Sequence, residues 1–151
     1  MTTDGRILGS DHVDHRAVTP TVPSARRLRL RHLWLIPGLA IAIAANGQAN
    51  EHGLGLGPLL LFGIVPHLPV LLALGQPHAR GQMARRAVPL FNVMHHPLPP
   101  VLVAGLAVAG ILSPFWLVGG LAWFSHIVVD LALGDGLRTT DGWRRPWWTA
   151  R

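Results

Sequence analysis

The chain has 151 residues, of which 50% are hydrophobic and only 13% are charged, and its mean hydropathy is +0.36. Soluble domains carry about 25% charged residues, so this composition predicts a single-domain integral membrane protein. The absence of cysteine excludes disulfides and thiolate chemistry. A net charge of +6 and a pI near 11.8 do not indicate nucleic acid, because the basic residues, all arginines, cluster at the ends of apolar segments.

The chain divides into three parts by composition. Residues 1–27 are polar and mixed in charge, without the apolar core of a secretory signal, and they are predicted to form a flexible cytoplasmic tail. Residues 28–137 are predicted to form the membrane domain, and residues 138–151 a cytoplasmic C-terminal tail.

Four apolar segments follow in chain order, at residues 33–45, 54–75, 87–112 and 114–133. A spanning helix needs roughly 20 apolar residues, so the first segment is short. The positions of the arginines favour counting the first segment as a membrane span. They occur in the N-terminal tail, between residues 80 and 86, and after residue 137, and they are absent from residues 46–53 and from the turn at Ser113.

This alternation predicts the topology. With four spans every arginine lies on the cytoplasmic side, as the positive-inside rule requires, whereas three spans would place arginine loops on both sides. The sequence therefore predicts an all-α integral membrane bundle of four transmembrane helices with both termini cytoplasmic. The lipid bilayer is its predicted partner, a homo-oligomer stays open, and nothing indicates nucleic acid or a particular substrate.

Prolines interrupt the second and third predicted helices beside histidines. Each proline removes a backbone N–H and frees a carbonyl about four residues earlier. Irregular backbone at membrane depth is tolerated only where protein buries it or where it lines a wet cavity. We therefore expect the third helix to be kinked or broken and to shape a pocket open to the cytoplasm. The prolines are Pro66, Pro69, Pro97, Pro99 and Pro100.

Polar residues on the last three helices share one depth. At a rise of 1.5 Å per residue, three histidines lie roughly 10 to 12 Å from the cytoplasmic helix ends, and an amide and a carboxylate lie at about 4 to 8 Å. Spacings of three and four residues place them on one side of each helix. The predicted pocket lies in the inner half of the membrane and comprises His67, Asn92, His95, His96, His126 and Asp130.

Imidazole and carboxylate groups are ligands of zinc, iron and manganese. The predicted metal ligands are His67, His95, His96, His126 and Asp130, with Asn92 as a further pocket residue. As catalytic residues we predict Asp130 and His126, in a metal-dependent membrane hydrolase that uses a divalent metal such as zinc.

Three alternatives stay open for the same residues. Asp130 can orient His126 instead of binding metal. Without metal the residues can relay protons, and they can also serve only as polar contacts between helices. The alternative function is therefore a non-enzymatic membrane protein: a proton or ion path, a small transporter subunit or an assembly partner.

The stretch AWFSHIVVDLALGDGLRTTDGW resembles the C-terminal signature of the domain of unknown function 4260 family of small bacterial membrane proteins. In this chain the signature falls on His126, Asp130, Leu133, Gly134, Gly136, Leu137, Arg138, Gly142 and Trp143. FNVMHHPLPP is similar to the family's Asn-x-x-His stretch, at Asn92, His95 and Pro100. The resemblance implies four membrane helices in the bacterial cytoplasmic (inner) membrane.

The chain departs from the family pattern in three places. His67 follows Pro66 where the family has an aspartate, Asp135 replaces an aromatic residue, and RRPWW replaces a Thr-His pair near the end. An imidazole at position 67 keeps a metal-binding side chain but changes the charge of the predicted pocket.

Overall fold

A computed structural model describes residues 31–145. The regular secondary structure in this range is helical. The range contains no strand and one isolated bridge, between Arg138 and Arg144. The elements are α1 (Leu35–Glu51), α2 (Gly57–Ile64), a 3₁₀ helix (Val65–Ala73), α3 (Val88–Met94), α4 (Leu98–Val108) and α5 (Pro114–Leu133). The 3₁₀ helix continues α2, and α4 follows α3 after a break, so the elements form four helical segments. The predicted N-terminal tail lies outside the described residues.

The longest helix, α5, is the centre of the packing. Helices α1, α2 and α4 all pack against it, while α3 packs against the 3₁₀ helix. The core around α5 is a mixed aromatic and aliphatic cluster of Ala45, Phe62, Ala122, Trp123 and Ile127. A polar or charged side chain on the inner face of α5 is therefore held close to residues from several other elements.

Glycine permits the closest of these helix crossings. A Cβ atom on Gly120 would lie 2.9 Å from both the Pro100 oxygen and the Ala104 nitrogen, which are backbone atoms of α4. On the α1 side, the Ser125 hydroxyl donates a hydrogen bond of 2.8 Å to the carbonyl of Gly38. Small residues thus allow α4 and α1 to approach α5 with backbone contacts, as is common between membrane helices.

The second helical segment changes from α-helix to 3₁₀ helix where its prolines occur. Pro66 and Pro69 lack the N–H that an α-helical ladder needs, and both are buried. The 3₁₀ helix is unusually long at nine residues. His67 therefore lies on a stretch of 3₁₀ backbone beside α5, and not on a regular α-helix.

The third helical segment is broken, as its prolines predict. Helix α3 ends at Met94 and α4 begins at Leu98. The Met94 carbonyl, which would accept the Leu98 N–H in a continuous helix, instead accepts the indole N–H of Trp123 at 2.7 Å. The Leu98 N–H donates to the His96 ring nitrogen Nδ1 at 3.2 Å. Side chains therefore satisfy these two backbone groups, which the break frees.

One helix within residues 31–145, α5, is long and apolar enough to cross a membrane by length and composition. The α2 and 3₁₀ segment, Gly57–Ala73, is a shorter apolar helix. Large apolar side chains elsewhere are strongly exposed, including Ile36 at 68%, Ile43 at 64% and Val108 at 74%. A continuous set of exposed apolar side chains indicates a membrane or partner surface.

The C-terminal residues fold back onto the helices. Gly134 ends α5 in the left-handed conformation, at φ 84°, which glycine adopts without strain. We refer to residues 134–145 as the C-terminal clasp. Within the clasp, the Arg145 N–H donates to the Leu137 carbonyl at 2.8 Å, and the Gly142 carbonyl accepts the Met83 N–H at 2.9 Å. The clasp is thus attached to the segment that precedes α3.

Candidate metal centre

Three histidines from three elements meet beside α5. His67 comes from the 3₁₀ helix, His95 from the residue after α3, and His126 from α5. One ring nitrogen of each lies within 4.8 Å of those of the other two. The ring centroids of His67 and His126 are 4.5 Å apart, and His95 is 5.7 Å from His67 and 5.8 Å from His126.

Asp130 lies one helical turn after His126 and adds a carboxylate to this histidine cluster. Its Oδ2 atom is 3.2 Å from the His126 Nε2 and 3.3 Å from the His95 Nε2. A spacing of four residues places Asp130 and His126 on the same face of α5, which explains the first contact. The second contact exists because the break after α3 brings His95 to α5.

The four side chains of the cluster differ in how deeply they are buried. The His95 side chain is only 2% exposed, and those of Asp130 and His126 are 15% and 16% exposed. His67, in contrast, is exposed. The cluster is therefore closed on the α3 and α5 side and accessible on the side of His67.

The ring of His95 is oriented by its own helix. Its Nδ1 lies 3.0 Å from the Phe91 carbonyl oxygen, an acceptor, so this nitrogen carries the proton and Nε2 keeps the free lone pair. The His95 and Phe91 rings also stack at 3.8 Å with an interplanar angle of 17°. The backbone carbonyl and the ring of Phe91 thus fix the direction in which the His95 Nε2 points.

The Nε2 atoms of His95 and His126 are buried and have no hydrogen-bond partner within residues 31–145. Asp130 lies within ion-pair distance of both atoms but does not meet the angle of a hydrogen bond. Because buried polar atoms are nearly always satisfied, two such nitrogens facing one carboxylate need an explanation.

Two predicted pocket residues lie outside the histidine cluster. His96 is exposed and accepts the Leu98 N–H, and Asn92 bonds to the backbone of Arg138. His95 is buried while His96, the next residue after the break, is exposed, so the two side chains point apart. Both residues instead line an apolar groove of about 370 Å³. The structure therefore brings together His67, His95, His126 and Asp130 only.

Sequence reasoning missed two residues near the centre: Phe91, which contacts His95, and Arg138, which contacts Phe91. The guanidinium carbon of Arg138 lies 5.4 Å from the centroid of the Phe91 ring. Burial lowers the pKa of Arg138 from its ordinary value while Asp135 opposes that shift, and the guanidinium stays charged. The spacing of four residues between Phe91 and His95 is the sequence pattern that could have predicted their contact.

No family model, curated protein or solved structure matches the chain. The resemblance to the domain of unknown function 4260 family therefore stays a proposal that rests on the motif residues.

Proposed function

We propose that this chain is a multi-pass membrane protein that binds one divalent metal ion, best matched by zinc, and acts as a metal-dependent hydrolase on an amphiphilic substrate. The observation that carries the proposal is the approach of three imidazole nitrogens, on His67, His95 and His126, to within 4.8 Å of one another. Catalytic zinc sites use three protein ligands and leave a fourth position open.

The unsatisfied nitrogens favour a cation over simple helix packing. A buried donor or acceptor without a partner costs about 1 to 3 kcal/mol, whereas a hydrogen bond between membrane helices contributes about 0.6 kcal/mol on average. A metal ion accepts the lone pairs of the His95 and His126 Nε2 atoms together. The Phe91 carbonyl supplies the outer contact that commonly orients a metal-binding histidine.

We assign Asp130 an acid–base role beside the metal. Its Oδ2 faces the Nε2 atoms, the side on which the lone pair of His95 points, and the outer nitrogen of His95 is already bonded to Phe91. Asp130 is therefore placed to accept a proton at the centre. A divalent ion held there would lower the pKa of bound water toward neutrality.

The exposed side of the centre sets where a substrate enters. His67 is the accessible ligand and lies on the 3₁₀ helix, just before the exposed apolar residues Leu68 and Leu71. A substrate with an apolar chain and a hydrolysable polar group fits that surface, because its chain can stay in the bilayer while its polar group meets the centre.

The membrane placement is part of the same proposal. By helical rise, α1 is about 25 Å long and Gly57–Ala73 about 30 Å, close to the thickness of a bilayer core. With 7 and 11 residues, α3 and α4 add about 27 Å of helix by the same rise. Together with the alternating arginines, these lengths support four spans with both termini cytoplasmic, in the bacterial inner membrane.

One observation favours a second candidate, a metal-free proton path. Asp130 lies within ion-pair distance of two histidines, and such a carboxylate–imidazole chain is typical of intramembrane proton relays. This candidate predicts pH-driven proton flux into liposomes that Asp130→Asn abolishes, with no bound metal.

Zinc titration of tag-free protein in mild detergent tests the proposal. We expect one zinc per chain in the wild type and loss of high-affinity binding in His126→Ala. His96→Ala is the matched control, because His96 neighbours His95 but lies outside the cluster, and it should bind as the wild type does. Equal zinc binding by the two variants would contradict the proposed site.

A further inference from the structure

We propose that the C-terminal clasp, residues 134–145, positions His95 through Phe91, so that clasp docking and metal affinity are coupled. The inference rests on the proposed metal centre and names a regulatory element for it. It assigns Arg138 and Asn92 as positioning residues, neither of which contacts the histidine cluster itself.

The clasp is attached to α3 by two hydrogen bonds between the Asn92 side chain and the Arg138 backbone. The Asn92 Oδ1 accepts the Arg138 N–H at 2.7 Å, and the Asn92 Nδ2 donates to the Arg138 carbonyl at 2.9 Å. One side chain therefore satisfies both backbone groups of Arg138, as a neighbouring strand would. This contact joins positions 46 residues apart in sequence and fixes the clasp against the helix that ends at the metal centre.

The Arg138 side chain extends this contact to the centre. Its guanidinium carbon lies 5.4 Å from the Phe91 centroid, and the same ring stacks with His95 at 3.8 Å. The Phe91 carbonyl holds the His95 Nδ1 at 3.0 Å. Asp135 holds the guanidinium at 2.9 Å. A shift of Arg138 therefore displaces the ring against which His95 is oriented.

The outer end of the clasp is attached to the loop before α3. The Gln82 Nε2 donates to the Asp141 carbonyl at 2.6 Å, and the Met83 N–H donates to the Gly142 carbonyl at 2.9 Å. Gly142 has φ 89°, and a Cβ atom there would clash with the Met83 backbone. Docking thus requires glycine at this position, which supplies a second and independent way to loosen the clasp.

Coupling of this kind is reciprocal. If docking raises metal affinity, then metal binding must stabilise the docked clasp by the same factor. Changes to residues that orient metal ligands commonly lower affinity by about 10- to 100-fold, and we expect Arg138 to lie in that range. The clasp therefore allows a change at the cytoplasmic surface to alter metal occupancy inside the protein.

The first test compares two arginines of the clasp. Arg138→Met removes the guanidinium from Phe91, while Arg144→Met removes the other arginine that pairs with Asp135 and does not contact the ring. We expect zinc affinity to fall about 10-fold or more in Arg138→Met. Arg144→Met should match the wild type. The absorption spectrum of bound cobalt should shift in Arg138→Met only, since a merely structural role would leave ligand geometry unchanged.

The second test is made on the wild type first, with Gly142→Ala as the comparison. Zinc should slow hydrogen exchange at Met83 and Arg138, whose amides bond to or within the docked clasp, and Gly142→Ala should abolish this effect. If the wild type binds zinc but exchange is unchanged and Arg138→Met retains full affinity, the clasp proposal is overturned alone. If the wild type binds no zinc, cobalt or manganese, the proposed metal centre fails as well.

Discussion

Asp130 is a carboxylate on an otherwise apolar helix, and two imidazoles supply its polar neighbours. An aspartate at the centre of a membrane helix costs about 2.5 to 3.5 kcal/mol. A proton or a metal ion held between this carboxylate and the Nε2 atoms of His126 and His95, which lie 3.2 Å and 3.3 Å away, would offset part of that cost. Acids within helices that cross a membrane are typically functional, so substitution of Asp130, three residues before the end of α5, is informative.

Asp130→Asn keeps the shape of the side chain and removes its charge. We expect zinc affinity to fall by about 10- to 100-fold, because the neutral amide balances the divalent charge poorly. Competition against a chromogenic chelator measures the affinity. Glu51→Gln, at the far end of α1, removes an exposed acid and should leave it unchanged. Undiminished affinity in Asp130→Asn would exclude the assigned role.

Trp123 supports the break before α4 through its indole N–H. Trp123→Phe keeps most of the aromatic packing but leaves the Met94 carbonyl without its 2.7 Å partner. We expect a loss of about 1 to 3 kcal/mol in the free energy of unfolding in detergent. Trp116→Phe is the control, since that tryptophan is 40% exposed. Equal losses in both variants would show that the hydrogen bond contributes nothing.

At the scale of elements, the α4–α5 crossing depends on Gly120. Gly120→Ala would place a methyl group 2.9 Å from two backbone atoms of α4, which cannot rotate away. Overpacking of this kind costs about 1 to 3 kcal/mol. Gly105→Ala, where nothing lies within 4 Å, should be neutral or slightly stabilising. Thermal unfolding of the two variants checks the contrast, and equal stability would refute the close crossing.

Several elements could be predicted because their signals are local. The break after α3 follows from Pro97, Pro99 and Pro100, and the end of α5 follows from Gly134. Helix α1, in contrast, runs six residues beyond the predicted apolar segment, to Glu51. Its last turns, NGQANE, are polar, so an apolar window does not detect them although the backbone there stays helical.

The candidate site was predictable in part. A shared depth in the membrane identified His67, His95, His126 and Asp130 as neighbours. Depth does not distinguish His95 from His96, because the direction of a side chain just after a helix break depends on tertiary packing. The contribution of Arg138 was missed for a different reason: its segment reads as a polar tail, and the hydrogen bonds that dock it come from residues distant in sequence.

At the scale of the whole molecule, the four-span topology can be tested directly because the chain has no native cysteine. Single cysteines at Asn50, His78 and Ser113, all exposed, report on three successive connections. In intact cells we expect a membrane-impermeant maleimide to label positions 50 and 113, and to label position 78 only after permeabilisation. Labelling of all three positions, or of position 78 alone, would contradict the predicted topology.

The central claim is that the histidine cluster holds a metal in the native protein. Elemental analysis of protein purified in mild detergent, without a metal-affinity tag, measures this most directly. We predict about one divalent metal per chain in the wild type and in His96→Ala, less in Asp130→Ala, and none in well-folded His126→Ala. No bound metal in any of these proteins, even after loading with zinc, iron or manganese, would contradict the account and leave the proton path as the function to test.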